Sequence, residues 1–144
     1  VRAIRIGLVV LLTLAQCVSV QTIHVRQRGA SDCAVAVLAM TTGKPYEVVD
    51  KARLALGIEL GSVGMYEPDV IRTAAALGVT LVRVKTFDPM TDAGVLFVVL
   101  PNTVTHAAYL DGKGDVYDPN ERWPQAWAIA RSTWSRVLFL LKKS

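Results

Sequence analysis

Apolar positions follow two different periods along the chain. From Cys33 to Gly78 they fill or stripe helices; from Val79 onward they alternate or run unbroken, as in strands. Cys33 to Met40 holds no charged or strongly polar side chain, which predicts a helix apolar on every side and so placed in the core. Ser31 and Asp32 are both N-cap residues and set its start at or next to Cys33. Gly43 supplies a left-handed stop. Pro45 suits the first turn of a second helix, in which Val48, Val49, Ala52, Ala55 and Leu56 recur at helical spacing before Gly57. Gly57, Gly61 and Gly64 mark a surface loop, read as a plain connector or as one lip of a cleft. Pro68 and Asp69 open a third helix with Ile71, Ala74 and Ala75 as its buried stripe, and Gly78 ends it.

The second half predicts a sheet. Val79 to Lys85 is strand-like and Phe87 to Asp92 a turn region. Ala93 to Leu100, AGVLFVVL, is a continuous apolar run before Pro101 and reads as a central strand. Val104 to Leu110, a turn over Asp111-Gly112-Lys113-Gly114, and Asp115 to Asp118 form a hairpin. Gln125 to Arg131 suggests a short helix and Arg136 to Leu141 a last strand. Trp123, Trp127 and Trp134 are read as core and rim aromatics without chemistry. Helices first and an antiparallel sheet after is an α+β pattern.

Residues 1 to 22 stand apart. Arg2 and Arg5 precede a ten-residue apolar run, Ile6 to Ala15, and a more polar stretch, Cys17 to Gln21, as in a secretory signal peptide. The run is short for a spanning helix, which needs about 20 apolar residues. Leu14-Ala15-Gln16-Cys17 approximates a lipoprotein box, with Gln16 where a small residue is wanted. The alternative is an extension upstream of the true start, with the working protein beginning near Thr22. The two readings give different locations: secreted or membrane-associated, through residues 6–20, or cytoplasmic. The division expected is a segment 1–22 and a domain 23–144.

Composition narrows the class. With 144 residues, 52% hydrophobic and 19% charged, the chain has length for one domain with a real core. A net charge of +4, spread along the chain apart from Lys142 and Lys143, offers no phosphate-tracking stripe, so nucleic acid is not an expected partner. Two cysteines, Cys17 and Cys33, supply neither a zinc cluster nor a disulfide framework. No metal or organic cofactor is implied.

Cys33 then becomes the residue of interest. A thiol at a helix N-terminus lies at the positive end of the macrodipole, which favours the thiolate. Gln27 precedes it by six positions, and its side-chain amide can donate to an oxyanion beside the Cys33 N–H. His106 lies in the strand Val104 to Leu110, on the face of Val104, Ala108 and Leu110. A hairpin loop of Asp111 to Lys113 would set Asp118 directly opposite His106; a loop of Gly112 to Gly114 would set Asn120 there. A slip of one residue would turn the partner to the other face. Asp118 is preferred, because Pro119 ends the ladder behind it, and Asn120 is the substitute. His24, in the extended lead-in Ile23 to Gln27, is read as structural or exposed.

Gln, Cys, His and Asp in that order resemble the constellation of a papain-like cysteine peptidase. More narrowly, Gln27, then Asp32-Cys33-Ala34 with its apolar helix, then Thr105-His106, then Tyr117-Asp118-Pro119, resemble the bacteriocin-processing peptidase family, which cuts leader peptides after a double glycine. The resemblance spans about residues 22 to 142, with Ala34 where the family usually has Gly. It implies a papain-like fold with N-terminal helices packed on an antiparallel sheet; a stand-alone domain, in departure from the exporter-borne members of that family, and a monomer are expected. It implies Cys33 as nucleophile, His106 as general base, Asp118 as its orienter and Gln27 as oxyanion donor, acting on a peptide or protein substrate. A transpeptidase or amidase with the same triad, or an inactive peptide-binding module, are the alternatives.

Overall fold

The computed structural model describes residues 22–62 and 64–143. The signal, anchor and lipidation readings of the N-terminal segment, including Cys17, lie outside the described residues. Among those described, no helix is long and apolar enough to cross a membrane.

Three helices come first: α1 (Cys33–Thr42), α2 (Tyr46–Ala55) and α3 (Glu67–Ala76). Strands β1 (Leu81–Val84), β2 (Ala93–Val99), β3 (Thr105–Asp111), β4 (Asp115–Tyr117), β5 (Gln125–Ala126) and β6 (Arg136–Lys142) follow, with α4 (Trp127–Ser132) before the last. They form one sheet in the order β1-β6-β2-β3-β4-β5, antiparallel at every pairing. The expected α+β architecture is what forms.

The sheet is covered on both faces, and alternation along the strands sorts the residues. Val95, Ala107, Tyr109 and Leu140 point to the α1–α3 side, where Ala34, Val35, Val37 and Leu38 of α1 meet Val49 of α2 and Val70 of α3. Leu96, Val98, Ala108, Leu110 and Phe139 point to the other side, against Ala130 and Trp134. Burial of β2 from both sides explains its unbroken apolar run. Eight consecutive residues of α1, Ala34 to Thr41, are buried. Burial of that kind contributes about 25 cal/mol per Å² of apolar surface, so α1 is the fixed post on which the thiol stands.

Two local expectations change. Gln125 and Ala126 are not helical; they pair with Val116 and Asp115 as an edge strand, and the Trp127 N–H reaches the Gly114 carbonyl at 2.8 Å. Without them β4 would present open backbone groups. The hairpin also takes the Gly112–Gly114 loop, with Tyr109 opposite Tyr117 and Leu110 opposite Val116. Asp111 stays in the ladder opposite Ala93, and its carboxylate accepts from the N–H groups of Lys113 (2.8 Å) and Asp115 (3.1 Å). Gly112 and Gly114 carry φ of 74° and 93°, a conformation open to glycine at little cost. The direct opposition of His106 and Asp118 through an Asp111–Lys113 loop is therefore corrected.

Candidate active site

Asp118 nevertheless bonds His106. Its Oδ1 lies 2.6 Å from the ring Nε2. The paired part of the hairpin ends at Tyr117; continued, the same register would set Asp118 opposite Ala108, on the His106 face and one diagonal step away. Diagonal neighbours lie within reach of a long side chain. His106 itself is fixed opposite Val98 of β2 and is only 8% exposed. Asn120 contributes its backbone N–H, which donates to the same Asp118 oxygen at 2.8 Å. Both residues weighed as partners thus meet at the site, one by its carboxylate and one by its main chain.

The lead-in holds this corner from behind. A ring nitrogen of His24, Nε2, lies 2.9 Å from the Asp118 carbonyl. Arg26 donates to the Asn120 carbonyl at 3.3 Å, and the Gln27 N–H to the Pro119 carbonyl at 3.1 Å. The His24 ring also packs edge-on against Tyr117, with centroids 5.5 Å apart. His24, read as structural or exposed, is half-buried and packs behind Asp118. Nothing local in the sequence signals that; the link spans 94 positions.

Across the cleft, Cys33 opens α1 as a free, half-buried thiol. Cys33, Gln27 and His106 line one cleft of about 670 Å³, together with Ser62, Met65 and Tyr66. The glycine loop is therefore a lip of this cleft. Gly64 seals it against the chain before Cys33: its φ is 76°, and a Cβ there would sit 2.7 Å from the Ser31 carbonyl oxygen.

The electrostatics centre on His106. Burial alone would lower its pKa, but the Asp118 hydrogen bond and the neighbouring Cys33 outweigh that and push it up to about 9. With Nε2 committed to Asp118, Nδ1 is the ring nitrogen left free of that bond.

Asp32 is the N-cap residue of α1, as the sequence suggested, and its carbonyl accepts from the Val35 (3.0 Å) and Ala36 (3.2 Å) N–H groups, but its side chain makes no cap bond. It is buried, 5% exposed, and turns back into the loop. Oδ2 accepts from the Arg28 N–H (2.7 Å) and from Tyr46 Oη (2.6 Å), and Oδ1 from the Gly29 N–H (2.8 Å). Burial would raise this carboxyl, but these donors hold it below its usual range. The Gly29 carbonyl accepts from Gln27 Nε2 at 2.7 Å, so one amide hydrogen of Gln27 is engaged and a second remains.

No family model matches the chain, and no curated protein matches it in sequence. Solved structures do match in fold. The peptidase domain of Streptococcus ComA, a bi-functional ABC transporter involved in a quorum-sensing pathway, superposes with a TM-score of 0.61 at 15% identity, over 86% of this chain and 100% of that one. A double-glycine-motif protease from an AMS/PCAT transporter, solved with its leader peptide, gives 0.59 at 18% identity, over 86% and 93%. The peptidase domain of Streptococcus mutans ComA gives 0.52 at 18%, over 81% and 96%. The fold is the papain-like one of double-glycine peptidase domains, as the sequence resemblance implied.

Proposed function

We propose that this protein is a cysteine peptidase working through Cys33, His106 and Asp118, with Gln27 as oxyanion donor. The observation that carries the reading is the His106–Asp118 contact of 2.6 Å, with His106 lining the same cleft as Cys33. An imidazole held by a carboxylate at one nitrogen and facing a helix-start thiol with the other is the arrangement that activates a thiol nucleophile.

The Cys33 thiolate attacks the scissile carbonyl carbon; a C–S bond forms and the carbonyl electrons move to oxygen. The Cys33 N–H and the second amide hydrogen of Gln27 hold that oxyanion. The Asp32 carboxylate, occupied in the loop, does not compete for the first-turn N–H groups of α1. His106 gives its proton to the departing amine as the C–N bond breaks. Water, deprotonated by His106, then hydrolyses the thioester, releasing the acid and restoring thiolate and imidazolium. Asp118 stabilises the imidazolium throughout and takes no proton.

The fold likeness to a protease solved with its leader peptide supports a peptide substrate here. Residues 23–144 are the proposed catalytic unit. Two measurements test the proposal: iodoacetamide labelling of Cys33 in the wild type and in His106→Ala, and cleavage of a quenched-fluorescent peptide library. Labelling that depends on His106, with cleavage, is expected. His106-dependent labelling without cleavage would favour the amidase or transpeptidase reading. Labelling indifferent to His106 would leave only a peptide-binding module.

A further inference from the structure

We propose that Tyr46 and Asp32 are positioning residues for the oxyanion donor, setting the Gln27 amide through the backbone of Gly29. The inference rests on the catalytic reading above. Gln27 follows an extended lead-in and precedes a loop, Arg28 to Ser31, with no regular secondary structure. Such a segment has little intrinsic order, while an oxyanion donor must be held to a fraction of an ångström.

The chain of contacts that supplies the order is continuous. Tyr46, the first residue of α2, donates its hydroxyl to Asp32 at 2.6 Å. Asp32 binds the Arg28 and Gly29 N–H groups at 2.7 and 2.8 Å, which folds the loop into one turn around the carboxylate. That turn aims the Gly29 carbonyl at Gln27 Nε2, 2.7 Å away. Gln27 Oε1 is buried with no partner among the described residues, so the bond to Gly29 is the hydrogen bond that orients the amide. The Arg28 guanidinium lies 4.0 Å over the Tyr46 ring, closing the clamp on its outer side. Asp32 is nearly fully buried, and a buried carboxylate satisfied by three donors is held in one orientation, which is what a positioning residue requires.

The test is a double-mutant cycle on the best peptide from a quenched-fluorescent library. Tyr46→Phe removes only the hydroxyl. It is expected to lower kcat roughly tenfold with KM unchanged, less than the loss of about 10²–10³ for removing an oxyanion donor. In a Gln27→Ala background the same change should cost almost nothing, because its effect runs through Gln27. Iodoacetamide labelling of Cys33, which needs no oxyanion donor, should keep its wild-type rate in Tyr46→Phe. The Gln27 side-chain NH₂, followed by nitrogen-15 NMR, should lose protection from water exchange. Glu47→Ala, which removes only the exposed contact to Arg28, is the control and should leave kcat unchanged. Equal loss in both backgrounds, or wild-type kcat in Tyr46→Phe, overturns the inference. His106-independent labelling of the wild-type protein would instead strike at the catalytic reading beneath it. Asp32→Ala is expected to be worse than Tyr46→Phe; should it fail to fold, the Tyr46 cycle decides alone.

Discussion

The His106 side of the cleft is carried by the sheet, the Gln27 side by a loop tied to one buried carboxylate. β3 pairs with β2 along seven residues, so the position of His106 is shared among many backbone bonds and two apolar layers. Residues 28–31 have no ladder, and their order comes from the hydrogen bonds to Asp32. A sheet-held residue tolerates loss of any one neighbour; a clamp-held residue depends on a single side chain. The two sides are tied where 24–27 run along 118–120. Flexible preparation on one side and rigid preparation on the other should separate experimentally into different kinetic signatures.

The largest effect is expected at Cys33, the proposed nucleophile. Cys33→Ala should abolish peptide turnover while moving stability by roughly 1 kcal/mol, a small change at a half-buried position; chemical denaturation beside an activity assay checks both. Retained turnover would remove Cys33 as the nucleophile.

On the sheet side, His106→Ala should cost more kcat/KM than Asp118→Ala, and Asp118→Ala more than Asp118→Asn, which can still accept through its amide oxygen. Losing the aspartate removes what holds the imidazolium at about pH 9. The basic limb of the kcat/KM profile should therefore fall towards the ordinary histidine range in both Asp118 variants. Stability should follow the same sign. A His whose folded pKa is raised from 6.5 contributes stability that is fully present below 6.5 and lost as pH rises through about 9. Denaturant midpoints between pH 6 and 10 should show that decline, on the order of 3 kcal/mol at most, and Asp118→Ala should flatten it.

On the loop side, Gln27→Ala should lower kcat by about 10²–10³ with KM nearly unchanged. Loss of binding at constant kcat would mean that Gln27 holds substrate instead. The smallest effect is expected at Asn120→Ala, since that residue reaches Asp118 through its backbone N–H. A crippled Asn120→Ala beside a silent Asp118→Ala would reverse the assignment.

Much of this molecule was legible in the chain. The apolar helix from Cys33, the existence of α2 and α3, the unbroken β2 run and the α+β order follow from periodicity, because burial on one or both faces leaves a local pattern; the stripes expected on α2 and α3 are shifted, since Val48, Ala55 and Ala75 are exposed while Arg53, Val70 and Thr73 are buried. Gln27, Cys33, His106 and Asp118, the proposed catalytic set, could each be singled out as candidates, since residue type and parity along a hairpin are also local. Parity survived where register did not: either even register keeps Asp118 on the His106 face, and the glycine conformations at 112 and 114 selected between them. Only the tertiary structure decided what the polar side chains do with their hydrogen bonds. Asp32 has the sequence of a cap and the work of a clamp, because Tyr46 comes within 2.6 Å once α2 packs on α1. His24 backs Asp118, and Gly64 closes on Ser31, for the same reason. Each bond joins groups distant in sequence, and short-range preference carries no information about which distant donor will arrive.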